Sequence, residues 1–325
     1  MKEIVQVYKS PGMWKKRPPG LGDFIRGACH LHEIALKNGF RLKLDISKTD
    51  FAPLVAEHKE FLNQDSRDED VSSAGEYFRD EDYDALSMEI EDLARSNKDK
   101  LYVCTNLGAW NRTTLLPQTA QLMRQFYDFR EPVKEASALV AGASPYEVLC
   151  IRGGDKFFRD PNGKIATDVR NTLMSVVADQ ILPTARSKIV VMSDSLQVKS
   201  DMAARFGFAM TGHTPEHGAF GNALPVAVDL NLLRHADHIH HVNLWKWWWS
   251  GFSHYTSIIF AIPSTNYVSP AFVREDIDAT GRRHVSAWGR ATLRVESWKR
   301  ALASRQKRRR RRALSMPVTP DENGR

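Results

Sequence analysis

The densest set of groups able to handle a phosphorylated substrate lies mid-chain, in Val148-Leu149-Cys150-Ile151-Arg152-Gly153-Gly154-Asp155-Lys156. An apolar, β-prone run there delivers a guanidinium, two glycines, a carboxylate and an ammonium to a strand's carboxyl end, where α/β sheets bind their ligands. A guanidinium stays charged and its planar fork takes two oxygens at once. Arg152 therefore suits a diphosphate whose negative charge grows as it departs. A structural ion pair between Arg152 and Asp155 at a turn would use the same residues, and the segment alone leaves both readings open.

Other polar groups recur at predicted element ends. Pro18-Pro19-Gly20-Leu21-Gly22-Asp23 stands between a strand and a helix, where glycines permit close backbone approach and helix amides can face an anion or a sugar. The third glycine of a dinucleotide fingerprint is missing, and a tight turn explains the pair equally well. Ser193-Asp194 closes the next strand, Asp229 sits in a helix over 226–236, and Ser250-Gly251-Phe252-Ser253 opens another helix. Trp245, Trp247, Trp248 and Trp249 offer faces that stack on sugars or pack between domains. His235, His238, His240 and His241 lack a carboxylate or cysteine at ligand spacing, so no metal is expected. His213 and His217 fall in a Gly/Pro-flanked segment, 211–222, read as a loop over the cleft. Neither a Gly-x-Ser-x-Gly elbow nor a Walker loop is present.

These groups need a frame, and the pattern of the chain supplies one. Strand 4–8, helix 23–37 and strand 40–46 form a βαβ unit, followed by a charged stretch at 57–100 read as short helices and loops, a strand at 101–105 and a helix at 115–129. The alternation restarts with strand 148–152, helix 168–182, strand 189–192, helix 198–206, a short strand near 208–210, helix 226–236, strand 238–242 and helix 253–262. Pro132 and the small residues of 136–144 predict a linker over about 132–145. The expected fold is therefore α/β with two facing Rossmann-like domains, 1–140 and 141–290. A C-terminal helix and a disordered basic tail follow over 291–325.

Charge argues against a nucleic-acid reader. Arg305, Lys307 and Arg308 to Arg312 supply seven cations, the whole of the net +7, so the rest of the chain is neutral. Cys29, Cys104 and Cys150 show no C-x-x-C spacing and predict buried thiols. No apolar run reaches the roughly 18 residues of a membrane span, and the first residues lack a secretory signal, so a soluble cytoplasmic protein is expected.

Taken in order, Gly20-Leu21-Gly22-Asp23, Ile151-Arg152-Gly153-Gly154-Asp155-Lys156, Ser193-Asp194 and Ser250-Gly251-Phe252-Ser253 resemble the GT-B fucosyltransferases over residues 18–265, closest to the α-1,6 type that includes nodulation-factor enzymes. That family carries His-x-Arg-Arg-x-Asp-Lys. Cys150 stands at its histidine, Arg152 at its phosphate-binding arginine and Gly153 at its second arginine, while Asp155 and Lys156 match. The resemblance implies an inverting transfer, without metal or other cofactor, from a GDP-sugar such as GDP-fucose to a glycan or other hydroxyl acceptor. Arg152, Asp155 and Asp160 would be the catalytic group, with Asp160 as base and Asp23 the second choice. Gly20, Gly22, Asp23, Lys156, Asp194, Ser250 and Ser253 would join Arg152 in binding the donor. Asp229 would contact guanine, because Asp229-Leu230, Leu233 and Ala236-Asp237 echo the family's helix. Cys150 and Gly153 also keep open another nucleotide sugar, or a noncatalytic protein that docks its basic tail on nucleic acid or a membrane.

Overall fold

The computed structural model describes residues 1–9, 13, 20–58, 61–62, 67–78, 82–108, 112–152, 167–211, 223–243, 250–268, 273–285 and 290–292. The first sheet is built from β1 (Glu3–Val7), β2 (Arg41–Asp45), β3 (Phe61–Leu62), β4 (Gly75–Tyr77) and β5 (Lys100–Thr105). Their order is β3-β2-β1-β5-β4, and every pairing is parallel. β1 is buried on both faces from Ile4 to Val7, as a central parallel strand covered by helices must be. The helices are α1 (Leu21–Lys37), α2 (Asp68–Ser73) and α3 (Asp82–Arg95). α1 buries Leu21, Phe24, Ile25, Ala28, Leu31 and Ala35 at helical spacing, so one stripe of it meets the core.

α4 (Pro117–Phe126) and α5 (Glu131–Ala141) lead into the second sheet. This comprises β6 (Tyr146–Arg152), β7 (Lys188–Ser193), β8 (Ala209–Met210), β9 (His238–Asn243), β10 (Ser264–Val268), β11 (Val273–Ile277) and β12 (Arg283–Val285), in the order β12-β11-β10-β9-β6-β7-β8. β11 and β12 pair antiparallel; the other strands are parallel. α6 (Thr167–Val176), α7 (Leu196–Phe206), α8 (Leu224–Arg234) and α9 (Gly251–Phe260) connect them. Side chains alternate strictly. Val148, Cys150, Val190, Met192 and Ile239 join a core shared with α1, α8 and α9, while Leu149, Ile151, Val191, Val242 and Tyr267 pack with α6 and α7 on the other face.

That shared core runs from Ile4 of the first sheet to Ile239 of the second, so the two sheets face each other across helices. Tyr127 Oη lies 2.7 Å from Thr256 Oγ1, and Arg124 Nε donates to the Ile259 carbonyl at 2.9 Å, tying the α4 region to α9.

Two local expectations are corrected, and three strands are added. The segment expected as a linker is mostly α5. Pro132 is tolerated within its first turn, and Val133, Ser137 and Ala141 make one buried stripe. The charged stretch holds two short strands, β3 and β4, which widen the first sheet at both edges. Beyond α9 the second sheet gains β10 to β12, which the sequence reading left unassigned. Residues 290–292 are helical; the rest of 291–325, expected as a helix and a basic tail, lies outside the described residues.

Candidate active site

A doubly wound sheet binds ligands at the carboxyl ends of the two neighbouring strands whose connections leave in opposite directions. In the second sheet these are β6, which leads to β7 and β8, and β9, which leads to β10 and β11. Arg152 is the last residue of β6 and pairs in register with Asn243, the last of β9. Ser193 ends β7 opposite Ile151, and half-buried Asp194 follows it ahead of α7. The segment after Arg152, with Asp155, Lys156 and Asp160, lies outside the described residues, as do the tryptophans of 245–249 and His213 and His217.

α1 and α9 begin side by side at this end of the sheets. A Cβ placed on Gly22 would lie 2.7 Å from the Gly251 carbonyl carbon, and one on Gly251 would lie 2.7 Å from the Gly22 oxygen. Only glycine at both positions lets the two backbones approach this closely. Each helix start carries amides that the helix itself leaves without acceptors, together with the positive end of its dipole. Two such starts at one place favour an anion. In α9 the Ser250 hydroxyl caps the helix by accepting from the Ser253 amide at 3.5 Å. In α1 the Asp23 carboxylate accepts from the Gly20 amide at 3.3 Å and lies 3.3 Å from the buried Arg26 guanidinium. Asp23 is therefore held in the helix cap.

Ser253 faces inward. Its hydroxyl lies 3.0 Å from Nδ1 of His241. Burial pushes the Cys150 thiol up to about 12, partly offset by the Ser253 hydroxyl. Burial likewise pushes His241 well below the usual imidazole range, helped by His254 nearby, so the ring is neutral.

Asp229, on α8, is 5% exposed. Burial pushes its carboxyl up to about 6, against the pull of the Lys199 ammonium and a hydrogen bond with Thr211. Lys199, fully buried, donates to the Thr211 carbonyl at 2.9 Å and to its hydroxyl at 3.1 Å, and burial lowers its own pKa. Asp229 Oδ1 is buried without a hydrogen-bond partner among the described residues. A carboxylate oxygen so placed can accept the N–H edge of a nucleobase.

The described structure thus brings together Gly20, Gly22, Asp23, Ser250 and Ser253 at the paired helix starts and sets Arg152 at the switch point. Asp194 and Asp229 belong to the β7 and α8 side. Lys199, Thr211 and His241 were missed. Lys199 reads as an ordinary helix-surface lysine and Thr211 as a loop residue, whereas His241 was considered only as a metal ligand. The other strand histidines have different partners: His240 Nε2 lies 2.7 Å from Glu147 Oε2 and His238 Nε2 lies 2.9 Å from Thr265 Oγ1. Among the described residues no group of three or more His, Cys, Asp or Glu could hold a metal ion, and no helix is long and apolar enough to cross a membrane. A groove of about 550 Å³, lined by His32, Leu36, Phe40, Arg41 and Gln125 among others, lies at the amino end of the first sheet and contains none of the predicted site residues.

Two mainly parallel sheets facing across paired helix starts, with a switch point between them, make this a GT-B fold. Solved fucosyltransferases share it. An arginine-to-lysine mutant of Arabidopsis thaliana FUT1 in complex with GDP superposes with a TM-score of 0.54 at 14% identity, covering 84% of this chain and 73% of that one. NodZ α-1,6-fucosyltransferase co-crystallised with GDP gives 0.52 at 12% identity over 85% and 98% of the two chains. Fucosyltransferase NodZ from Bradyrhizobium, as the selenomethionine protein, gives 0.54 at 12% over the same shares. At these identities the likeness is one of fold. No family model and no curated protein matches the sequence.

Proposed function

We propose that the chain is an inverting glycosyltransferase that moves a sugar, fucose in the first instance, from its GDP conjugate to a hydroxyl acceptor without a metal. The observation that carries this reading is the register pair Arg152–Asn243 at the β6/β9 switch point, on a fold shared with fucosyltransferases crystallised with GDP. In this account the second half of the chain binds the donor and the first half faces the acceptor. Guanine meets Asp229, whose free oxygen accepts from the base, and the diphosphate lies toward Arg152, Lys156 and the start of α9.

Electrostatics then does most of the work. As the acceptor oxygen attacks the anomeric carbon, the bond to GDP breaks with both its electrons on the diphosphate oxygen. Arg152, Lys156 and the helix amides meet that charge where a metal would otherwise be needed. One displacement inverts the anomer. The acceptor's proton passes to a carboxylate, and Asp160 is preferred over Asp23 because Asp23 caps α1 and lies beside Arg26.

The test is a transfer assay. Incubation with GDP-fucose and a panel of oligosaccharide acceptors in the presence of EDTA is expected to release GDP and give a product of inverted anomeric configuration by NMR. Transfer from another nucleotide sugar alone would move the proposal to that donor, and the absence of transfer from any donor would contradict it.

A further inference from the structure

The family motif that this chain resembles places a histidine two residues before the phosphate-binding arginine, and here Cys150 occupies that place. The imidazole is missing from β6 but not from the sheet. Cys150 pairs in register with His241 on the adjacent parallel strand, so both side chains leave the same face at the same level, one pleat below Arg152 and Asn243. His241 meets the first turn of α9, its Nδ1 lying 3.0 Å from the Ser253 hydroxyl, and Cys150 is buried at the same level of the sheet. His241 is 2% exposed, and its Nε2 is buried with no hydrogen-bond partner among the described residues.

These contacts have a direction. A bare imidazole nitrogen is cheaper to leave unpaired in the interior than an N–H, so the Nδ1–H tautomer, donating to Ser253 Oγ, is the favoured one. Ser253 thereby ties the start of α9 to the strand that carries Asn243, the register partner of Arg152.

We infer that His241 is a positioning residue of the phosphate site: supplied from the neighbouring strand in place of the histidine absent at position 150, it holds Ser253, and with it the first turn of α9, in register with Arg152. This rests on the reading of the site as one for GDP. It extends that reading by assigning a role to a residue outside the family motif.

The test compares GDP with GMP by calorimetric titration, because the ratio of their affinities reports the β-phosphate and cancels losses spread over the whole fold. For the wild-type chain GDP is expected to bind more tightly than GMP. His241→Cys should lower GDP affinity about tenfold, the size of one hydrogen bond to a charged ligand, with GMP affinity nearly unchanged. The exchange of the pair, Cys150→His with His241→Cys, should restore most of the ratio. Ser253→Ala should match the loss, and combining it with His241→Cys should add little. A wild-type chain that binds GDP no better than GMP removes the GDP reading and this inference together. A wild-type preference for GDP that persists in His241→Cys, or a His241→Cys loss that the exchange fails to restore, overturns the inference and leaves the GDP reading standing. If His241→Cys does not fold, Ser253→Ala decides: an unchanged GDP-to-GMP ratio overturns the inference and a collapsed one supports it.

Discussion

Arg152→Ala is expected to lower the transfer rate about 10²- to 10³-fold, or about 2.7–4 kcal/mol of transition-state stabilisation, while leaving thermal stability close to wild type. The size follows from where the residue sits. Arg152 is the last residue of β6, after the continuous buried run from Val148 to Ile151. Its register partner Asn243 ends the strand across the switch point, the place where α/β sheets bind their ligands. Arg152→Lys keeps the charge but not the two-pronged geometry, so it should fall between wild type and Arg152→Ala. The loss should appear in kcat more than in donor affinity, because charge on the diphosphate is greatest as the sugar leaves. Steady-state kinetics on GDP-fucose with a saturating acceptor check this, and near-normal turnover by Arg152→Ala would show that the arginine has another purpose.

Gly22→Ala carries the second large effect. The added methyl would meet backbone atoms, the Phe252 amide and the Gly251 carbonyl carbon, so no rotamer change relieves it. The two helix starts must move apart. Overpacking of this kind costs about 1–3 kcal/mol, and here the strain falls on the geometry that brings the amides of α1 and α9 together. A lower melting temperature together with weakened GDP binding is expected. Gly20→Ala is the matched control, since its nearest neighbour would be Asp23 Oδ2 at 3.9 Å, an ordinary contact. Equal effects of the two substitutions in melting and titration would remove the close approach from the account.

The architecture was legible where local pattern and burial agree. The β1 and β6 runs are apolar on both faces and bounded by turn signals, and α1 shows its stripe at helical spacing. α5 was hidden because Pro132 and the small residues after it signal a break, although a proline in a first turn is compatible with a helix and small residues allow close packing. β11 was hidden differently. Three consecutive charged residues, Arg274 to Asp276, separate Val273 from Ile277, and a run of that kind looks like loop until β10 and β12 pair with it on either side. At the site, the strand-end motifs could be read because each is contiguous. The meeting of Gly22 with Gly251 depends on the packing of two distant helices, and that of Cys150 with His241 on parallel register between distant strands, which no local pattern encodes.

In the proposed complex GDP lies between the starts of α1 and α9 and the end of β6. Amide hydrogen exchange with and without GDP tests it most directly. Slowed exchange is expected in peptides covering residues 20–24 and 250–254, together with the peptide that follows Arg152. Protection confined to the groove formed by residues 32–42 and 118–125, with the paired helix starts unchanged, would contradict it.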